Sequence, residues 1–252
     1  MGKNKLKKFA EMEEIPFVLQ YPWGRLQHED FPYRGRWGEF FGNGNPITLE
    51  LGCGKGEYTV GLAKRFPDRN FIGIDIKGAR MWTGAKEALG ADMKNVAFLR
   101  TDIEMLPRFF QAGEVNEIWI TFPDPQMQKP RKRLTGTRML EIYRKVLDPE
   151  GRINLKTDSP FLYAYTRLTV QYNGLPVFAD FGDVYGRGED DLLTTIRTHY
   201  EQQWLSRGMT IRFLSFSPFN GKALEEPPGA EEIEKDTYRS YPRFDAHLTI
   251  DK

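Results

Sequence analysis

Ile47-Thr48-Leu49-Glu50-Leu51-Gly52-Cys53-Gly54-Lys55-Gly56 is the stretch on which the fold turns. An apolar run interrupted by one carboxylate leads into three glycines at alternate positions. That is the pattern of a buried strand ending in a tight turn, where the backbone itself approaches a ligand that a Cβ would exclude. Spacing excludes two nucleotide loops. A dinucleotide fingerprint counted from Gly52 needs a glycine where Glu57 stands, and a P-loop needs Ser or Thr after its lysine, where Gly56 follows Lys55.

Outward from this turn, short apolar runs at 71–76, 96–99, 117–122 and 152–155 read as further buried strands. Between them, 58–66, 78–89 and 135–147 carry apolar residues at helical spacing, and Asp148-Pro149-Glu150-Gly151 reads as a turn before the next strand. Strands alternating with helices imply right-handed βαβ units and a doubly wound α/β sheet, whose ligands bind beyond the carboxyl ends of the strands. Farther along, 160–170 and 192–207 each read as one helix, and 210–216 alternates as a strand. The expected organisation is an aromatic, partly irregular arm over 1–45 with a short helix near 5–14, a single domain over 46–220, and a tail over 221–252 that is acidic and then aromatic around Tyr238, Tyr241 and Phe244. The tail is expected either to pack on that domain or to be mobile.

Each strand end carries an acid. Asp75 stands 19 residues beyond Gly56, where a carboxylate accepts both hydrogen bonds of a ribose diol or else caps the helix opening near Gly78. Asp102 follows the third strand and is suited to an exocyclic amino group. Asp124 sits between Pro123 and Pro125, whose fixed φ values make a stiff platform for its carboxylate. Lys129, Arg131, Lys132 and Arg133 come next, either a solvated basic face or the landing place of a polyanion.

Composition sets the outer bounds. Across 252 residues, 40% hydrophobic and 28% charged residues exclude disorder. The single cysteine, Cys53, permits no intramolecular disulfide and no Cys-based zinc site, and His28, His199 and His247 lack ligand spacing, so no metal is expected. No apolar run is long enough to span a membrane, and a cytoplasmic location is expected. The formal charge of +1 hides an asymmetry: residues 129–145 hold seven cations against Glu141, while 225–236 hold six acids against Lys235.

The glycine turn with an acid two residues before it resembles the nucleotide loop of Rossmann-like S-adenosylmethionine methyltransferases. Together with Gly73-Ile74-Asp75, Phe122-Pro123-Asp124-Pro125, Arg131-Lys132-Arg133-Leu134, Leu155-Lys156-Thr157-Asp158 and Thr198-His199-Tyr200-Glu201, it resembles the bacterial tRNA (guanine-N7)-methyltransferases over residues 47–216. The resemblance implies a mostly parallel seven-stranded sheet with an antiparallel last strand, S-adenosylmethionine as methyl donor, and a guanine of the tRNA variable loop as acceptor. It implies cofactor contacts from Glu50, Gly52, Gly54, Gly56, Asp75, Asp102 and Asp124, with Asp124 also catalytic. It implies substrate contacts from Asp158, Thr198, Tyr200 and Glu201, beside the basic run Lys129, Arg131, Lys132 and Arg133. Many members place Trp and Lys where Gln126 and Gln128 stand here, so Lys129, one position later, is taken as the replacement.

Guanine N7 carries a lone pair and no proton, so Asp124 and Asp158 are expected to position the base and stabilise developing positive charge. The aromatic arm either stacks on RNA or packs on the domain. Competing readings are a methyltransferase of small molecules or proteins, and an RNA-binding module without turnover. A monomer and a homodimer both fit.

Overall fold

The computed structural model describes residues 3–238; residues 1–2 and 239–252, with Tyr241, Phe244 and His247, lie outside the described residues. Eight strands form one sheet: β1 (Val18–Gln20), β2 (Ile47–Leu51), β3 (Asn70–Asp75), β4 (Val96–Arg100), β5 (Val115–Thr121), β6 (Leu147–Thr157), β7 (Val177–Phe181) and β8 (Arg212–Phe216), in the order β1-β4-β3-β2-β5-β6-β8-β7. β8 runs antiparallel to both of its neighbours, and all other pairings are parallel. The chain steps from β2 out to β4 on one side and then returns to lay β5 against the other flank of β2. Reversal of direction there opens a crevice at the carboxyl ends of β2 and β5, beside the glycine turn.

Alternation along the strands feeds two cores. Leu49, Ile72, Leu99 and Ile118 pack on one face with Trp37, Phe109 and Tyr143. Tyr58, Phe71, Phe98 and Trp119 pack on the other with Met81 and Phe213. The arm feeds both cores, Met12, Ile15 and Val18 the second and Tyr21, Leu26, Phe31 and Trp37 the first: Trp37 is fully buried, its Nε1 donates to the Phe109 carbonyl at 3.0 Å, and its ring stacks on Phe110 at 5.3 Å.

Three expectations are corrected. The sheet has eight strands rather than seven, because the arm after Pro16 runs along the outer edge of β4, pairing Val18 with Phe98 and donating Tyr21 N–H to the Arg100 carbonyl. Covering an open edge in this way needs only three residues, too few to leave a period in the sequence. The turn at 148–151 is an excursion within β6, across which the register with β5 moves from Val115↔Leu147 to Glu117↔Arg152. The stretch 192–207 is two helices, Leu192–Thr195 and His199–Leu205. The break is chemical: the buried Lys156 ammonium takes the Leu193 carbonyl at 2.5 Å and the Ile196 carbonyl at 3.4 Å, and Thr198 caps the second helix by accepting from Glu201 N–H.

Candidate active site

The glycine turn is built on left-handed backbone, with φ of +75° at Gly52 and +56° at Gly54. A Cβ at either position would meet nothing closer than 3.8 Å, so the bare backbone faces open space. Gly56 is different, since a Cβ there would lie 2.5 Å from the Phe98 ring, and its constraint is the packing of helix Glu57–Arg65 on the sheet. Above the turn lies a cavity of about 320 Å³ reached by Glu50, Asp75, Asp124 and Tyr200. A second cavity of about 230 Å³ adjoins it across Asp75, Ile103 and Lys132 and extends to Asp102.

Glu50 forms the floor. It is buried and accepts from Thr59 N–H at 2.8 Å, Thr59 Oγ1 at 2.5 Å and Thr121 Oγ1 at 2.6 Å. Burial outweighs these donors and pushes its carboxyl up to about 7. Asp75 accepts from Gly54 N–H at 3.0 Å and Lys77 N–H at 2.7 Å, tying the first strand end to the second. Asp102 is exposed and accepts from Glu104 N–H; beside it the buried Thr101 hydroxyl has no hydrogen-bond partner among the described residues. Cys53 is also buried here, its thiol pushed up by burial and by Glu50 and Asp75.

Asp124 projects at the mouth, exposed, with Oδ1 accepting from Gln126 N–H at 3.0 Å. The residues flanking the Pro-Asp-Pro platform, Phe122 and Gln126, both hold φ of +50°. For a side chain as large as Phe this is strained backbone, roughly 1–3 kcal/mol, held by the Phe122 N–H bond to the Lys156 carbonyl at 2.8 Å. The basic residues after it divide. Lys129, Arg131 and Lys132 are exposed on and beside the turn Pro130–Lys132, and Lys132 reaches both site cavities. Arg133 is only 5% exposed, with its guanidinium over the Phe161 and Tyr165 rings at 4.8 and 4.4 Å.

The last group of expected residues divides too. Thr198 and Tyr200 line the main cavity, whereas Glu201 is fully buried and ion-paired with Lys156 at 2.6 Å, also accepting from Tyr185 hydroxyl at 2.9 Å. Asp158 is fully buried and accepts from the hydroxyl of Tyr238 in the tail. Sequence reasoning missed Lys156, Thr59 and Thr121. Lys156 had a signal, a cation inside an otherwise buried strand; the two threonines had none, since their role exists only once β2, β5 and helix Glu57–Arg65 meet.

A protein-family model described as "Putative methyltransferase" matches residues 44–214. A tRNA (guanine-N(7)-)-methyltransferase of Porphyromonas gingivalis is 62% identical over 92% of this chain and 96% of its own length. One of Bacteroides thetaiotaomicron is 56% identical over 96% of both. Among solved structures, the 16S rRNA methyltransferase KamB superposes with a TM-score of 0.56 at 14% identity, covering 75% of this chain and 94% of KamB, a likeness of fold. With the glycine turn, the strand-end acids and the Pro-Asp-Pro platform gathered at one crevice, and relatives matched along nearly their full length, the chain belongs to the tRNA (guanine-N(7)-)-methyltransferase family.

Proposed function

We propose that this chain transfers a methyl group from S-adenosylmethionine to N7 of a guanine in the variable loop of tRNA. The observation that carries the reading is the joining of two chemistries at one crevice: an acid-lined nucleotide cradle, and an exposed basic turn beginning five residues after Asp124. The residues present fit the cofactor. Glu50 suits its ammonium, the open glycine backbone its carboxylate end, Asp75 its ribose diol, and Asp102 with the unsatisfied Thr101 hydroxyl its adenine. When bound, it supplies an electrophilic methyl on a sulfonium.

Neutral guanine N7 needs no base before it attacks. Asp124 therefore holds the purine and stabilises the positive charge that the base acquires, a positioning and electrostatic task for which a carboxylate on a strained, double-proline platform is preorganised. Thr198 and Tyr200 line the same cavity as Asp124, and Lys129, Arg131 and Lys132 meet phosphates. Asp158 and Glu201 act from behind this surface, through Tyr238 and Lys156. The reaction takes place in the cytoplasm, where tRNA is met.

The test is transfer of labelled methyl from S-adenosylmethionine to unmodified tRNA transcripts with and without the variable-loop guanine, followed by cleavage at N7-methylguanosine. Label confined to the guanine-bearing transcript and mapped to that base is expected. Cofactor binding without label on any tRNA would transfer the reading to a small-molecule or protein acceptor.

A further inference from the structure

Beside the basic turn lies a larger cavity that the reaction does not use. It measures about 480 Å³, within the roughly 300–1,000 Å³ range of ligand pockets. Met127, Arg131, Arg133 and Phe161 form one wall and Pro227 and Ala230 of the tail the other, with Lys235 at the rim. The turn Pro130–Lys132 separates the two sites: Lys132 reaches the cofactor cavities and Arg131 the larger one.

Three features define the ligand. Apolar side chains of Met127, Pro227 and Ala230 line the cavity and offer a slot for a flat ring, while Phe161, 2% exposed, lies beneath the Arg133 guanidinium. Arg133 is buried in the wall with its Nε lacking any acceptor among the described residues, although Nη2 donates to the Met127 carbonyl at 3.2 Å. A buried guanidinium with an unused donor is unfavourable unless something accepts from it. At the rim, Arg131 and Lys235 form no ion pair among the described residues, while the neighbouring Arg138 is held by Glu104 at 2.6 Å.

We infer that this cavity binds a second, unstacked nucleotide of the RNA, its base in the apolar slot with an acceptor of its edge turned to Arg133 and its phosphate on Arg131 and Lys235, while the target guanine sits across the turn. The inference rests on the reading of RNA as substrate. Glu231, at the mouth, is placed to accept from an exocyclic amino group of the base. A strand crossing Pro130–Lys132 would so be gripped on both sides, and the target base would be drawn out by fixing its neighbour.

Ala230→Trp fills the slot without touching the cofactor cavities. Measured on the full chain by fluorescence anisotropy with labelled tRNA and no cofactor, its Kd should rise about tenfold, the worth of one lost base contact. S-adenosylmethionine affinity and kcat at saturating tRNA should stay at the parent values, so the change falls on KM. A tRNA Kd within twofold of the parent would overturn the inference. Independently of that variant's folding, tRNA carrying 4-thiouridine at each position flanking the variable-loop guanine should photocrosslink to Met127, Arg131 or Ala230, the crosslinked residue being located by fragmentation of the peptide. Crosslinks confined to residues that line only the cofactor cavities, such as Asp124 or Tyr200, would also overturn it. A parent enzyme that binds and crosslinks in this way but transfers no methyl would refute the reaction and leave the second nucleotide site standing.

Discussion

Glu50 is a buried carboxyl whose titration links pH to folding and, as the proposed partner of the cofactor ammonium, to binding. Its carboxyl is pushed up to about 7 by burial, against 4.5 when solvated, so between those values the folded chain holds a proton that the unfolded chain has released. Stability is therefore lost as pH rises through that window. Glu50→Gln should flatten this part of the stability profile in thermal melts of the cofactor-free protein; an unchanged profile would show that another group titrates. A cationic ammonium favours the carboxylate, so cofactor binding near pH 6 should release a proton, visible in calorimetry as a dependence on buffer ionisation enthalpy. Asp124 has a different duty. Asp124→Asn should lower kcat by roughly 10²–10³-fold, the loss typical of one preorganised electrostatic contact, without creating a new ionisation in the rate profile. A parent rate that follows a single titration absent from the variant would mean base catalysis instead.

The basic turn and the broken helix make separate predictions. Four cations were expected to meet phosphate, and the structure leaves Lys129, Arg131 and Lys132 exposed while Arg133 is stacked under aromatic rings. The slope of log affinity for tRNA against log salt due to this turn should thus be about −2 to −3, and removing all three charges should reduce it by that amount. The helix break depends on Lys156, whose three N–H groups meet Glu201, Leu193 and Ile196. Burial pushes its amine down, opposed by Glu201. Lys156→Met, leaving Glu201 buried and unpaired, should destabilise by about 3–5 kcal/mol in denaturant melts, and adding Glu201→Gln should recover part of it. Recovery of none would mean that the carbonyl bonds, not the ion pair, hold the helix start. Helical spacing over 192–207 was legible in the sequence; the ammonium that interrupts it comes from a strand some forty residues earlier, and no local pattern carries that information.

Much of the central architecture could be read from the chain because buried parallel strands and their helices write their periods into it. The strands at β2 to β6 and the helices at 58–66 and 78–89 were legible for that reason, and so was the strand-end position of the acids. β1 and β7 were not. The first borrows its order from the β4 edge, and the second, with Val177 and Phe178 half exposed, lacks a buried face to mark it. The division of the expected site into cavity-lining Asp75, Asp102, Asp124, Thr198 and Tyr200 and fully buried Asp158 and Glu201 was equally hidden, because burial of the latter depends on the tail and on Lys156.

The position of β8 also governs how this protein can be made. β7 pairs with β8 alone, and β8 is wedged between β7 and β6. While the chain emerges from the ribosome, everything up to β6 can assemble in order, yet β7 has no partner until residues 212–216 have left the exit tunnel. During that interval the β6 edge is open, and the two sheet faces later closed by Phe213 on one side and Phe216 on the other are uncovered. Nascent chains stalled before residue 212 should therefore be the species that chaperones hold, and a stop codon in this interval should give aggregates rather than a smaller enzyme.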